Sequence, residues 1–173
     1  MNRNRKAIFL DRDGVINRER KDYVKNSSEL EIFSNVSQSI KKLKDRGYLV
    51  VVITNQSAVN RGLTSHKNIE EIHSTIQEYL GRDGTFIDAY YYCPHMPDEN
   101  CDCRKPKPGL LLRASRELKI DLKSSWMIGD SRSDLEAARL AGCKSIMVNQ
   151  EISLSMAIQN ILLAEHSQRG IIN

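Results

Sequence analysis

Two carboxylates stand two residues apart, directly after a short apolar run. Asp11 and Asp13 follow the run 7–10, and the next residue, Gly14, permits a turn that an ordinary side chain would strain. Two carboxylates that point into one site can divide the work of phosphoryl transfer, because one can attack phosphorus while the other moves protons. Taken alone, such a pair is explained equally well by a turn or by a fragment of a calcium-binding loop.

Three further polar residues supply other groups that phosphoryl transfer needs. Besides a nucleophile and an acid, the reaction requires a divalent cation and donors that steady the moving oxygens. Thr54 ends a β-branched run, Lys105 lies in a polar segment, and Asp130 follows another apolar run. Any one of them is explained more simply as a strand end, a solvated charge or a helix cap. Their order along the chain, together with the carboxylate pair, favours a shared catalytic site.

The elements that must position these residues alternate between strand and helix. The predicted strands cover 7–10, 49–53, 86–92, 126–128 and 145–148. The first predicted helix is capped by Ser34 and stops at Gly47. The other predicted helices cover 67–80, 108–118, 135–141 and a terminal helix with a frayed end within 151–173. This alternation predicts an α/β protein with a doubly wound parallel sheet, in one domain over residues 1–173. Ligands of such sheets bind outside the carboxyl ends of the strands, so Asp11, Thr54 and Asp130 should converge on one crevice.

Four segments in this order resemble the motifs of the haloacid dehalogenase superfamily. They are Leu10–Val15, Thr54–Gln56, Arg104–Pro106 and Gly129–Asp130. The resemblance spans about residues 7–149 and implies a Rossmann-like fold. It makes Asp11 the nucleophile that forms an aspartyl-phosphate, and Asp13 the acid for the leaving alkoxide and then the base for water. Thr54 and Lys105 would steady the phosphoryl oxygens.

Within that superfamily, the segments 93–95, 101–103 and 104–109 resemble the D-glycero-D-manno-heptose 1,7-bisphosphate 7-phosphatases and the related histidinol-phosphate phosphatases. The resemblance implies a Mg²⁺ ion held by Asp11, the backbone carbonyl of Asp13 and Asp130, with Asp134 supporting it from nearby. A remote second phosphate would suit the planar fork of Arg104. The substrate contacts that the resemblance implies are Arg12, Glu19, Tyr23, Asn55, Gln56, Ser57 and Arg104.

Cys93, His95, Cys101 and Cys103 form two close pairs across an eleven-residue segment. Three cysteines and a histidine are the ligand set of a closed tetrahedral zinc site, and four protein ligands leave no open position for catalysis. We therefore predict a structural Zn²⁺ that braces the loop before Arg104. The alternatives are disulfides or unligated thiols, which a reducing cytoplasm and the histidine between the cysteines disfavour.

Charge and length exclude several other classes of protein. A net charge of +4 and a pI of about 8.9 suit an anionic substrate, but no long basic run is present to follow a nucleic-acid backbone. No apolar run approaches the length needed to span a membrane, so we expect a cytoplasmic protein, and we expect a monomer. The spacing leaves no room for an inserted cap domain, so substrate selection should fall to residues 17–24, 56–64 and the zinc loop with Arg104.

The resemblance favours removal of the 7-phosphate from heptose 1,7-bisphosphate, in the synthesis of nucleotide-activated heptose for lipopolysaccharide and other surface glycans. Histidinol-phosphate phosphatase is the first alternative. Removal of 3′-phosphates from nucleic-acid ends is the second, and a binding module without catalysis is disfavoured because all four motifs are present. The expected partner is a small phosphorylated metabolite, the expected cofactors are catalytic Mg²⁺ and structural Zn²⁺, and nucleic acid and membrane are not expected.

Overall fold

The computed structural model describes residues 5–169 as five strands flanked by helices. The strands are β1 (Ala7–Leu10), β2 (Leu49–Asn55), β3 (Ala89–Cys93), β4 (Trp126–Gly129) and β5 (Lys144–Met147). The α-helices are α1 (Val36–Asp45), α2 (His66–Gly81), α3 (Gly109–Leu118), α4 (Arg132–Ala141) and α5 (Leu154–Arg169). Short 3₁₀ helices cover Ser27–Glu29, Pro97–Glu99 and Leu122–Ser124.

The sheet has the order β3-β2-β1-β4-β5, and every neighbouring pair is parallel. β1 is central, because Phe9 pairs with Val51 on one side and with Met127 on the other. The order reverses at β1, which puts the crevice for a ligand at the carboxyl end of that strand. This topology confirms the predicted doubly wound α/β fold.

Two apolar cores lie on the two faces of the sheet. Side chains alternate along β1, so Ile8 and Leu10 join one core while Phe9 joins the other. The first core also takes residues of α1, α2 and α5, and the second takes residues of α3 and α4. Because strands buried on both faces must be apolar throughout, the continuous runs in the sequence are explained by this layering.

Several element boundaries differ from the predictions. The predicted third strand was wrong at its start, because Phe86 is half exposed and lies under the Lys44 ammonium. The carboxylate of Asp88 accepts a hydrogen bond from the Val50 backbone, and regular pairing begins only at Ala89. The predicted cap of α1 was also wrong, since Asn35 occupies the cap position and makes no side-chain cap bond. The predicted frayed end falls partly on 170–173, which lies outside the described residues.

Between residues 5 and 169, no cap module is inserted into this layered unit. The segment between β3 and α3 forms a loop with one 3₁₀ turn, and the segment between β1 and α1 forms another. None of the helices in this range is long and apolar enough to cross a membrane. The carboxyl edge of the sheet is therefore covered by loops alone.

Candidate active site

The carboxyl ends of three strands meet in one cavity. Asp11 follows β1, Thr54 is the next-to-last residue of β2, and Asp130 follows β4, and all three line a cavity of about 470 Å³. These strands are neighbours in the sheet, so side chains at their ends are brought together by register alone. The predicted convergence of these residues is thus present in the structure.

Lys105 lies at the floor of this cavity, with its ammonium between two carboxylates. The Nζ atom is 3.0 Å from Asp11 and 2.5 Å from Asp134, and it donates a hydrogen bond of 2.9 Å to the Ile53 carbonyl. Lys105 is 3% exposed and Asp134 is fully buried. A buried ammonium is stable only when carboxylates or carbonyls surround it, and here they fix the direction in which the Lys105 ammonium points at the cavity.

Asp11, Asp130 and Asp134 form a compact group of carboxylates, with oxygens within 4.8 Å of one another. Burial raises the pKa of Asp11 more than the Lys105 cation lowers it. Burial, reinforced by Asp134 and Glu19, raises the pKa of Asp130 to about 6. Carboxylates that disfavour one another's ionisation are stabilised as anions by a cation bound among them, so this group fits a divalent metal with oxygen ligands.

Asp13 is held by hydrogen-bond donors on both of its oxygens. Nη2 of Arg12 lies 3.1 and 3.0 Å from the two oxygens, Nδ2 of Asn17 donates at 2.8 Å, and Nε2 of Gln56 donates at 2.8 Å. Burial would raise the pKa of this carboxyl, but the Arg12 guanidinium and the amide donors outweigh it and hold that pKa below its usual value. Asp13, which lines the cavity, is therefore held in its orientation by three side chains.

Arg12, for which a substrate contact was predicted, is not brought to the cavity by the structure. The side chain of Arg12 is fully buried and does not line the cavity. It bridges Asp13 and Gln56, donating to Oε1 of Gln56 at 3.0 Å. The sequence cannot reveal this, because the residue between the two carboxylates points to the cavity or to the core according to how the turn at Gly14 closes.

The other predicted substrate residues do line the cavity: Glu19, Tyr23, Asn55, Gln56, Ser57 and Arg104. Two of their side chains are already engaged, however. The Asn55 amide bonds the backbone of Lys105, and Gln56 is 2% exposed and bonds both Asp13 and Thr54. Arg104 donates to the His95 carbonyl at 3.1 Å through one nitrogen only.

Sequence reasoning did not single out three residues that belong to this site. Asn17, which is fully buried, restrains Asp13, and the only signal for it was its place in a loop expected to touch substrate. Arg20 and Lys21 line the cavity from the same loop. Arg20 is paired with Asp22, whereas Lys21 has no ion-pair partner among residues 5–165. Exposed loop cations carry no sequence pattern that distinguishes them from solvated charges.

Cys93, His95, Cys101 and Cys103 converge as predicted. The sulfur of Cys93 lies 3.6 Å from that of Cys101 and 3.2 Å from that of Cys103, and Nδ1 of His95 lies 3.2 Å from Cys103. All four cysteines of the chain are free, so the disulfide alternative was wrong. Zn–S bonds of about 2.3 Å give a tetrahedron whose edges are about 3.8 Å, so these spacings fit a bound zinc ion.

Comparison with known proteins relates the whole chain to one group of phosphatases. The profile of the family Hydrolase_like ("HAD-hyrolase-like") matches residues 102–167. A D-glycero-beta-D-manno-heptose-1,7-bisphosphate 7-phosphatase of Helicobacter pylori is 43% identical over 96% of this chain and 91% of its own length. The enzyme of the same name from Pseudomonas aeruginosa is 40% identical, over 83% of this chain and 81% of its own length.

A solved structure resembles this fold over nearly its full length. The D,D-heptose 1,7-bisphosphate phosphatase of B. bronchiseptica, complexed with magnesium and phosphate, superposes with a TM-score of 0.85 and 32% identity. The superposition covers 92% of this chain and 99% of that protein.

Proposed function

Because this chain belongs to the D-glycero-β-D-manno-heptose-1,7-bisphosphate 7-phosphatase family of haloacid dehalogenase-like hydrolases, we propose that it removes the 7-phosphate from that sugar bisphosphate. The observation that carries the proposal is the meeting of Asp11, Thr54, Lys105 and Asp130 in one cavity, with Asp13 restrained beside them. The proposed nucleophile, the proton donor and the groups that steady the phosphoryl oxygens are thereby all within reach of one phosphoryl group.

The proposed reaction has two steps on Asp11. A carboxylate oxygen of Asp11 attacks phosphorus, the bond from phosphorus to the sugar oxygen breaks, and Asp13 gives a proton to the leaving alkoxide. The arriving phosphate dianion favours the protonated form of Asp13 that this step needs. Asp13 then takes a proton from water as its oxygen attacks phosphorus, which releases inorganic phosphate and restores Asp11. Thr54 and Lys105 steady the phosphoryl oxygens in both steps.

The residues that would hold Mg²⁺ in this proposal are Asp11, Asp130 and the backbone carbonyl of Asp13, with Asp134 next to them. Bound there, the ion supplies positive charge against the phosphoryl oxygens. Cys93, His95, Cys101 and Cys103 would hold a structural Zn²⁺. The zinc would stabilise a loop that carries little apolar core, and so fix Arg104 directly after its last ligand.

Recognition of the second phosphate is proposed for the outer wall of the cavity. Glu19, Tyr23 and Ser57 also line the cavity and would meet the sugar hydroxyls. Lys105 is paired with Asp11 and Arg20 with Asp22, which leaves Lys21 and Arg104 as the cations best able to meet a remote anion.

We also propose a cytoplasmic location, which the free, closely spaced cysteines support because a reducing compartment preserves them.

The test is a panel of substrates measured in Mg²⁺ and in EDTA. It compares both anomers of heptose 1,7-bisphosphate, histidinol phosphate and a 3′-phosphorylated oligonucleotide, with Asp11→Asn as the control for the nucleophile. We expect the β-anomer of heptose 1,7-bisphosphate to exceed histidinol phosphate and the oligonucleotide in kcat/KM by at least about tenfold, which corresponds to ~1.4 kcal/mol of binding at its remote phosphate. A smaller advantage, or turnover by Asp11→Asn, would overturn the assignment.

A further inference from the structure

The side-chain amide of Asn55 bonds both polar backbone groups of a residue fifty positions away. Its Nδ2 donates to the Lys105 carbonyl at 3.1 Å, and its Oδ1 accepts from the Lys105 amide at 3.1 Å. Lys105 is 3% exposed, so these backbone groups need partners within the protein. Asn55 satisfies both of them.

Asparagine is well suited to this contact, because its amide offers a donor and an acceptor side by side. Pro106 follows Lys105 and disfavours helical backbone at that residue. Lys105 can therefore present its N–H and C=O to one partner, much as a strand presents them to its neighbour. A serine at position 55 could meet at most one of these groups, and an alanine could meet neither.

The other end of Lys105 is fixed by the same strand. Its Nζ atom donates to the carbonyl of Ile53, two residues before Asn55 in β2, and it lies 3.0 Å from Asp11. One strand thus holds both the backbone and the ammonium of this lysine. Loss of the contact at Asn55 would free the backbone end and allow the ammonium to shift relative to Asp11.

We infer that Asn55 is a positioning residue, which acts on phosphoryl transfer through Lys105 and does not recognise the substrate directly. The inference rests on the proposed function, since it presumes that Lys105 steadies the phosphoryl oxygens. It assigns Asn55 a role different from the direct substrate contact that the family resemblance implied. The two roles predict different kinetics, because Lys105 meets the phosphoryl group of every substrate whereas a sugar contact serves only the sugar.

The experiment compares Asn55→Ala with Gln77→Ala, using the full chain with zinc and Mg²⁺ bound. Gln77 is the matched control, because its amide likewise bonds both backbone groups of another residue: it donates to the Ile87 carbonyl at 2.9 Å and accepts from the Ile87 amide at 2.9 Å, and it does not line the cavity. The measurements are kcat and KM for p-nitrophenyl phosphate and for heptose 1,7-bisphosphate, the Kd of inorganic phosphate, zinc content and the melting temperature. Should Asn55→Ala fail to fold, Asn55→Ser replaces it in every measurement.

For Asn55→Ala we expect kcat to fall by about 10- to 100-fold on both substrates alike, and phosphate to bind at least about tenfold more weakly. Gln77→Ala should leave these values within about twofold of the wild type. In a Lys105→Met background, Asn55→Ala should change phosphate affinity by less than about twofold, because the group through which it acts is gone.

Two results would overturn the inference. One is a rise in KM for the sugar bisphosphate alone, with p-nitrophenyl phosphate kinetics and phosphate affinity unchanged, which is the signature of direct sugar contact. The other is an equal loss of phosphate affinity with and without Lys105. Each of these results can occur while the wild type keeps its heptose bisphosphatase activity. Failure of the proposed function would look different, because the wild type would then hydrolyse p-nitrophenyl phosphate without preferring the sugar bisphosphate.

Discussion

Replacement of Gly14 by alanine should weaken Mg²⁺ binding strongly while lowering the unfolding free energy only slightly. Gly14 has φ +81°, and a Cβ atom there would lie 1.9 Å from Oδ2 and 2.6 Å from Cγ of Asp130. The left-handed backbone costs an alanine about 1–2 kcal/mol. An ordinary contact needs about 3.5 Å, so the carboxylate oxygen must move by more than about 1 Å.

The overlap falls on the movable end of a side chain, because the Cβ of Asp130 itself lies 3.3 Å away. Rotation of the Asp130 side chain about its Cα–Cβ bond moves both Cγ and Oδ2 and relieves the overlap at little further cost in stability, but it removes an oxygen from the proposed Mg²⁺ site. We therefore expect Gly14→Ala to lose about 1–2 kcal/mol of unfolding free energy, while the half-saturating Mg²⁺ concentration rises by about 10- to 100-fold. Urea unfolding in EDTA and a Mg²⁺ titration of p-nitrophenyl phosphate hydrolysis measure the two effects.

Gly84→Ala is the matched control. Gly84 has φ +66°, and a Cβ atom added there would meet nothing within 4 Å, so this substitution carries the backbone strain without the overlap. It should lose a similar unfolding free energy and keep the wild-type Mg²⁺ dependence. The reasoning is refuted if Gly14→Ala also keeps that dependence, or if Gly84→Ala alters it equally.

Three other substitutions test the rest of the site. Cys101→Ser should abolish zinc binding, lower the melting temperature by roughly 5–10 °C and raise KM, as metal analysis, calorimetry and kinetics would show. Lys105→Met should cost about 3–5 kcal/mol in urea unfolding with EDTA present, because buried Asp134 loses its cation. Burial lowers the pKa of His73 to about 3, so between pH 7 and 5 only the unfolded chain takes up a proton at this residue, and His73 contributes a loss of about 2 kcal/mol to unfolding free energy. The difference in unfolding free energy between His73→Phe and the wild type should therefore change by about 2 kcal/mol over that range.

Each of these predictions has its own control. Cys143→Ala removes the one cysteine outside the cluster and should leave the zinc content unchanged. The double substitution of Lys105→Met with Asp134→Leu should recover stability relative to Lys105→Met, since the fully buried carboxylate of Asp134 is then no longer left without its cation. If His73→Phe and the wild type lose equal stability on acidification, the buried histidine is not the cause.

Much of the fold and the outline of the site could be predicted from the chain because they depend on local pattern. Strands buried on both faces must be apolar throughout, and parallel strands must end at one edge, so Asp11, Thr54 and Asp130 were expected to meet. Cysteine and histidine spacing likewise indicated a metal loop, since the two pairs could close on each other across a short turn.

The boundaries of strands were harder to predict where a side chain, and not the backbone, accepts a hydrogen bond from the neighbouring strand. The aromatic stretch before β3 has strand-like composition, yet the Asp88 carboxylate occupies a position where a strand would pair, and Phe86 is left outside. Local propensity contains no information about that competition, because the partner, Val50, lies 38 positions away.

What the sequence by itself determined, then, is the order of elements, the edge at which chemistry occurs and the residue types present there. What only the tertiary structure decided is the partner of each polar side chain. Arg12, Asn55 and Gln56 carry the same donors and acceptors wherever they point, and their partners lie 43 to 50 positions away or beneath a tight turn. A hydrogen bond requires its atoms to be about 3 Å apart, and over such separations that distance is set by how the strands and loops pack.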